Sequence, residues 1–139
     1  MSPREIVQHM LNQDAFSQWL GISLGSIETG SCELFCTVRD EMLNGHNIAH
    51  GGITFSLADS ALAFASNTYG NKCVSIKTEI AHLLPVKSGD KLRVKCDEVS
   101  RKKTIGTYAV SVTNSSEELV ARFHGTVHIS SETWQATNF

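Results

Sequence analysis

The run from Ile53 to Ala65 is the feature that most limits how this chain can fold. Its residues are apolar or hydroxyl-bearing, with the acidic Asp59 as the exception, and this composition predicts a helix buried nearly all round. An ionised carboxylate is costly there unless something pairs with it. Asp59 lies too deep in the helix to be an N-cap. It is therefore either a core carboxyl satisfied by a neighbouring hydroxyl or backbone donor, or a catalytic group.

The bulk composition argues against several classes of partner. Twelve Lys and Arg against 14 Asp and Glu give a net charge of −2, which favours neither nucleic acid nor an anionic membrane. No apolar stretch approaches the roughly 20 residues of a membrane span, and the N-terminus lacks the apolar region of a signal peptide. The four cysteines show no CxxC spacing, so we expect reduced core residues. Reduced cysteines favour a cytoplasmic location. The length of the chain fits a single domain, 1–139.

The hydrophobic pattern changes period along the chain. Ser2-Pro3-Arg4-Glu5 predicts a helix over about 3–14, and residues 22–38 are typical of a strand region broken by Gly25 and Gly30. The buried helix is predicted over about 53–68. Four later runs with a period of two predict four consecutive strands. The tail, 131–139, is expected to be loose.

This order of elements predicts an α+β fold, in which an antiparallel sheet, connected as a meander, wraps around the long central helix. In the first of the later runs, Val74, Ile76, Thr78 and Ile80 alternate with polar residues, which predicts that these four share one face of a strand. The Ala and Ser residues of the helix allow the sheet to approach closely. One sheet around one helix leaves strand edges and a helix flank uncovered, so a dimer is expected.

The glycine pair in His50-Gly51-Gly52 directly precedes the buried helix. Adjacent glycines allow close backbone approach, and the N–H groups at a helix start can polarise a carbonyl oxygen. Taken alone, the glycine pair is explained more simply as a flexible turn from loop to helix. The pair by itself is therefore a weak motif.

The spacing between Gly51 and Asp59 limits how they could cooperate. At ~1.5 Å per residue, eight helical residues separate them by ~12 Å, whereas one reacting carbonyl must lie ~3 Å from both nucleophile and oxyanion donor. One straight helix cannot meet that condition. Two chains with antiparallel helices can, because each would pair its Gly51 with the partner's Asp59 at the dimer interface.

Other candidate sites are weaker. His46 and His50 have helical metal-ligand spacing, but the glycines around them favour a loop. His124 and His128 share a strand face yet are ~13 Å apart, too far to bind one metal. Cys73 has no His partner nearby in sequence. Arg101, Lys102 and Lys103 form a basic turn that is either a solvated hairpin tip or a phosphate contact.

The segment from Asn44 through His50-Gly51-Gly52 to Asp59 resembles the signature of the hotdog-fold acyl-CoA thioesterases, and most closely their phenylacetic-acid-degradation (PaaI-like) subgroup. The later segments Val74-Ser75-Ile76, Pro85-Val-Lys-Ser-Gly-Asp90, Arg101-Lys-Lys-Thr104 and Phe123-His-Gly-Thr126 fit in the same order. The resemblance therefore covers nearly the whole chain.

This resemblance implies a hotdog fold and hydrolysis of an acyl-CoA thioester to a free acid and CoA. It implies that Asp59 is the nucleophile or general base, and that the Gly51 N–H, assisted by Asn44, polarises the thioester carbonyl. Ser75 would help to position water. His50 and Gly52 would shape the substrate-binding loop, and the basic turn, 101–103, could meet the phosphates of CoA.

The family picture requires no metal or cofactor, and its members are commonly homodimers or dimer-of-dimers tetramers. Phe64, Tyr69, Leu83 and Leu84 could shape an acyl pocket, but no pattern separates an aromatic from a medium-chain acyl group. A small aromatic acyl group of the phenylacetyl or hydroxyphenylacetyl type is the expectation. A non-catalytic acyl-CoA sensor and a hotdog hydratase or dehydratase are the alternatives.

Overall fold

The computed structural model describes residues 1–135, which form three α-helices and six strands. The helices are α1 (Pro3–Gln13), α2 (Ala15–Leu20) and α3 (Gly51–Asn67), and a 3₁₀ turn spans Asp40–Met42. The strands are β1 (Ser23–Glu28), β2 (Ser31–Thr37), β3 (Asn71–His82), β4 (Lys91–Lys102), β5 (Ile105–Thr113) and β6 (Leu119–Thr133).

The six strands form one antiparallel sheet around α3, which confirms the predicted α+β class. Helix α3 contacts every strand from β2 to β6. Leu57 and Phe64 are fully buried against the sheet, and each such side chain stabilises the fold by about 1.5–3 kcal/mol. Gly125 permits the close approach, since a Cβ there would lie 2.4 Å from Leu62 Cδ2.

The predicted meander is wrong at one strand. The spatial order is β1-β2-β4-β5-β6-β3, so β3 lies at the far edge, next to β6. Strands β4, β5 and β6 follow one another through short turns and pair in sequence, which leaves the outer side of β6 for β3. The segment that connects β3 to β4 therefore crosses from the edge of the sheet to its middle. A hydrogen bond from Ala49 N–H to Val86 O, at 2.7 Å, holds this segment against the loop before α3.

Strand β3 also departs from the predicted alternation. Its register with β6 shifts between Ser75 and Lys77, and this bulge moves the side chains after it to the opposite faces. Val74 lies before the bulge and is 66% exposed, and Ile76 in the bulge is 58% exposed. The pattern predicts both on the same face as Ile80, which lies after the bulge and packs against the core. Ser75 before the bulge and His82 after it both face α3, which matters for the site described below.

Two terminal regions differ from the prediction as well. The first helix ends at Gln13, and Asp14 then caps a second, unpredicted helix, α2, through Ser17 N–H at 2.9 Å. At the other end, β6 continues to Thr133, and Trp134 N–H donates to Gly70 O at 2.8 Å. The start of the predicted loose tail is therefore ordered, and its last residues, 136–139, lie outside the described part of the chain.

Candidate active site

The N-terminus of α3 presents one backbone donor. His50 caps the helix, because its Nδ1 accepts the Gly52 N–H at 2.8 Å. The Ile53 N–H donates to His50 O at 2.9 Å. Within the described residues, Gly51 N–H is left without a protein partner in this first turn. A free N–H at a helix start carries the positive end of the helix dipole and suits an oxyanion.

A cleft of about 360 Å³ opens beside this free amide. Asn44 lies in its wall, and its side-chain oxygen accepts the backbone N–H of His46 at 2.9 Å. Because the oxygen is committed to the loop, the Asn44 amide nitrogen is the end that can donate into the cleft. Most of the other residues in its wall are apolar, and they include Leu83, Leu84 and Pro85. We call this space the Gly51 cleft.

Asp59 lies in a different cleft, of about 240 Å³, between α3 and β3. Burial raises the pKa of the Asp59 carboxyl above its usual range, and the negative charge of Asp14 adds to that rise. Ser75 lines this cleft with Asp59, so the structure brings together two residues to which the family resemblance gives a role. Its other lining residues are mostly small or apolar: Leu62, Ala63, Ser66, Cys73, Val74 and Val127. We call this space the Asp59 cleft.

One chain therefore carries the two halves of the implied chemistry in separate clefts. Gly51 starts α3, and Asp59 follows eight residues later in the same helix, ~12 Å along its axis. Asp59 is not locked into its own core, because the cleft leads to it. Within one chain, the Gly51 amide therefore does not lie at the Asp59 cleft.

His50 and Gly52 face away from both of these clefts. They line a third one, of about 340 Å³, together with the aromatic side chains of Phe16 and Trp19 on α2. Since His50 already holds the Gly52 amide, both residues shape the helix start, and the donor that remains is Gly51.

The three basic residues of the turn 101–103 differ in how they pack. Lys102 and Lys103 are exposed, but the Arg101 guanidinium lies 3.8 Å from the centre of the Tyr69 ring. Arg101 Nη1 is buried and has no hydrogen-bond partner in the described residues. Arg101 is thus directed inward, and Lys102 and Lys103 are the cations that this turn presents at the surface.

Sequence reasoning missed five residues that the fold brings near the two clefts. Asp14 Oδ2 accepts the Ser17 hydroxyl at 2.5 Å, and Ser17 Oγ lies 2.8 Å from Ser60 Oγ on α3. The N-cap signature at Asp14 was a readable signal for this chain of contacts. No local pattern pointed to His82 or Thr54, which line the Gly51 cleft, because they meet only through the fold.

The structure gives little support to Cys73 as a nucleophile or to a metal site. Cys73 donates its thiol to Ser66 O at 3.3 Å, and burial raises the pKa of that thiol, so it is held in the protonated form. All four cysteines are free and buried. Among the described residues, no three His, Cys, Asp or Glu side chains group as metal ligands. In the same part of the chain, no helix is long and apolar enough to cross a membrane.

A family model described as the thioesterase superfamily matches residues 46–121, more than half of the chain and the part that carries Gly51, Asp59 and Ser75. The chain belongs to this superfamily. It is a hotdog-fold thioesterase of the PaaI-like type, and therefore an enzyme that hydrolyses thioesters.

Individual relatives agree with this assignment. Acyl-coenzyme A thioesterase PaaI of Escherichia coli is 37% identical over 119 residues, which cover 86% of this chain and 85% of that protein. Its solved structure matches with a TM-score of 0.92 and 34% identity, over 94% of this chain and 95% of the other. Human acyl-coenzyme A thioesterase 13 is 29% identical over 132 residues, 92% of this chain and 94% of that protein.

One solved neighbour was crystallised with a ligand. A Streptococcus mutans protein bound to acetyl CoA matches with a TM-score of 0.79 and 28% identity, over 81% of this chain and 91% of the other.

Proposed function

We propose that this thioesterase hydrolyses CoA thioesters of small aromatic acids, of the phenylacetyl or hydroxyphenylacetyl type, in a site shared by two copies of the chain. In each site, Asp59 of one copy faces the Gly51 amide of the other. The observation that carries the proposal is the separation of these two groups into different clefts of one protomer.

The exposed edge of the sheet supports a second copy as the missing half. Strand β3 pairs with β6 on one side and forms the sheet edge on the other. Val74 and Ile76 on it are 66% and 58% exposed. An unpaired, apolar edge strand favours pairing with another strand, and a two-fold axis there would set two α3 helices antiparallel. We propose a homodimer on this edge, and two such dimers as a tetramer.

The proposed reaction begins with the thioester oxygen on the Gly51 N–H, with the Asn44 amide nitrogen as a second donor. With Asp59 as general base, a water that Ser75 helps to position gives its proton to the carboxylate and attacks the carbonyl carbon. The oxyanion forms on the two donors. The C–S bond then breaks, and the proton passes to sulfur, giving the free acid and CoA. With Asp59 as nucleophile, its carboxylate attacks the carbonyl carbon and the C–S bond breaks, so that CoA leaves as the thiolate and an anhydride remains. Water then cleaves the anhydride, which restores the carboxylate and gives the free acid, and a proton of that water passes to the thiolate.

The cleft dimensions and the relatives support the proposed substrate. The Asp59 cleft is small, about 240 Å³, and its wall of Leu62, Ala63 and Val127 is apolar, which suits a compact acyl group. PaaI of E. coli belongs to the phenylacetic acid degradation operon, and two relatives are named as acyl-coenzyme A thioesterases. The exposed Lys102 and Lys103 are the proposed contacts for CoA phosphates.

Subunit complementation tests the shared site directly. Asp59→Asn and Gly51→Pro each inactivate one half-site, so each variant alone should release almost no thiol from phenylacetyl-CoA. Co-expressed, the two should form mixed dimers with one intact site, and random pairing restores about a quarter of wild-type activity. Equal inactivity of the mixed and single preparations, with mixed dimers shown by mass, would contradict a shared site.

A panel of acyl-CoAs in the same thiol-release assay tests the acyl group. We expect kcat/KM to be highest for phenylacetyl- and hydroxyphenylacetyl-CoA and lower for acetyl- and decanoyl-CoA. A maximum at the medium-chain substrate would replace the aromatic assignment and leave the shared site intact.

A further inference from the structure

His82 ends β3 and lies in the wall of the Gly51 cleft. Its ring covers the α carbon of Gly51, because Nε2 lies 3.2 Å and Cε1 3.4 Å from the place of a Cβ on that residue. The other ring nitrogen, Nδ1, lies 3.3 Å from Thr54 Oγ1. The strand below the ring is fixed by pairing with Ala121 of β6. The imidazole thus packs against the first turn of α3, while His82 remains exposed to solvent.

Thr54 determines which ring nitrogen carries the proton. Its Oγ1 lies 3.2 Å from Gly51 O, an oxygen that can only accept. The single hydroxyl hydrogen is used there, so the contact with His82 requires Nδ1–H to donate to Thr54 Oγ1. In the neutral ring, Nε2 is then an acceptor, and it lies beside Gly51 at the cleft wall.

The cleft therefore presents a donor and an acceptor side by side, the Gly51 N–H and His82 Nε2. Among the residues that line it in the described part of the chain, His82 is the one titratable side chain, so no neighbouring charge competes for Nε2. A thioester oxygen is an acceptor and takes the Gly51 N–H. An N–H on the thiol side of the substrate fits the acceptor.

We propose that His82 Nε2 accepts a hydrogen bond from the amide that lies two methylenes from the sulfur in the CoA arm. This inference rests on the proposed acyl-CoA substrate and adds a residue that positions its thiol half, while Gly51 holds the carbonyl. The same amide is present in a thioester of N-acetylcysteamine. It is absent from an S-ethyl thioester of the same acid, so three substrates separate this contact from other roles.

The experiment compares His82→Leu with the wild-type enzyme on these three thioesters of phenylacetic acid. We expect KM to rise about three- to tenfold for the CoA and N-acetylcysteamine esters, the value of one neutral hydrogen bond, with kcat changed less than twofold. For the S-ethyl ester, KM should not change. His82→Gln, which offers an amide oxygen, should recover part of the loss. His124→Leu, an exposed histidine on the other face of the sheet, is the matched control.

Three results would overturn the proposal. An equal rise of KM on all three esters would mean that the ring only packs against Gly51, and no change on any of them would remove His82 from substrate binding. A fall in kcat on all three would assign it to the chemical step instead.

Failure of the proposed function gives a different result. In that case the wild-type enzyme releases no thiol from the CoA ester, and the contact is measured as CoA binding by calorimetry. A Kd that rises about three- to tenfold in His82→Leu supports the contact, whereas an unchanged Kd, or no CoA binding by the wild type, overturns it.

Discussion

The two ends of the proposed catalytic pair are built in different ways. At the start of α3 the chemistry comes from the backbone, since His50 occupies the Gly52 amide and leaves the Gly51 amide free. Halfway along the same helix it comes from a side chain, Asp59, whose pKa is raised by burial and by Asp14. A backbone donor is fixed by local helix geometry, whereas the reactivity of a carboxylate depends on everything that packs around it.

Removing the side chain should have the largest effect. Asp59→Asn keeps the shape and removes the carboxylate, so kcat should fall about 10²- to 10⁴-fold, the usual contribution of a general base. Circular dichroism and thermal unfolding should show an intact fold. Glu28→Gln, an exposed carboxylate on β1 at the opposite edge of the sheet, is the matched control and should keep wild-type kcat. An active Asp59→Asn enzyme would leave the carboxyl as a core residue.

Removing the backbone donor should have the next largest effect. Proline is favoured at the first position of a helix, so Gly51→Pro deletes the N–H while α3 can still form. Gly51→Ala adds the same Cβ, 3.2 Å from His82 Nε2, and keeps the N–H. Loss of one oxyanion donor costs about 10²- to 10³-fold in kcat, so the proline variant should be slower than the alanine variant by that factor.

Gly45→Ala is the control for this pair, since a Cβ at that loop position meets nothing within 4 Å, and it should match the wild type. If the proline and alanine variants lose activity equally, the cost is steric, and the Gly51 amide is not the oxyanion donor.

The smallest predicted effect is a change in pH dependence. Asp59 must be ionised to act, so kcat/KM should fall as pH drops through its raised pKa. Asp14→Asn removes one cause of the rise and lowers that pKa, so the midpoint should move to lower pH. Asparagine retains the capping of α2. Ser17→Ala removes the hydroxyl between Asp14 and Ser60 without changing charge, and its midpoint should stay at the wild-type value.

The regular elements were predictable because their signals are local. Ser2 accepts the Glu5 amide at 3.1 Å as its sequence pattern predicts, and the apolar run defined α3 to within two residues of its start. Helix α2 was missed, since it is only six residues long and begins where another helix ends. The inner face of β3 was assigned wrongly up to the bulge, where Val74 and Ile76 are exposed, and correctly after it, where Ile80 packs against the core. One extra residue at the bulge reverses a period of two.

The sequence by itself determined the family, the fold class and the two groups of the motif, Gly51 and Asp59, because each depends on residue type and short-range spacing. Only the tertiary structure decided that these groups open into separate clefts, that Arg101 turns inward onto Tyr69, and that His82 lies over Gly51. Those arrangements join segments distant in the chain, and packing between strand, helix and loop sets them. No local pattern carries that information.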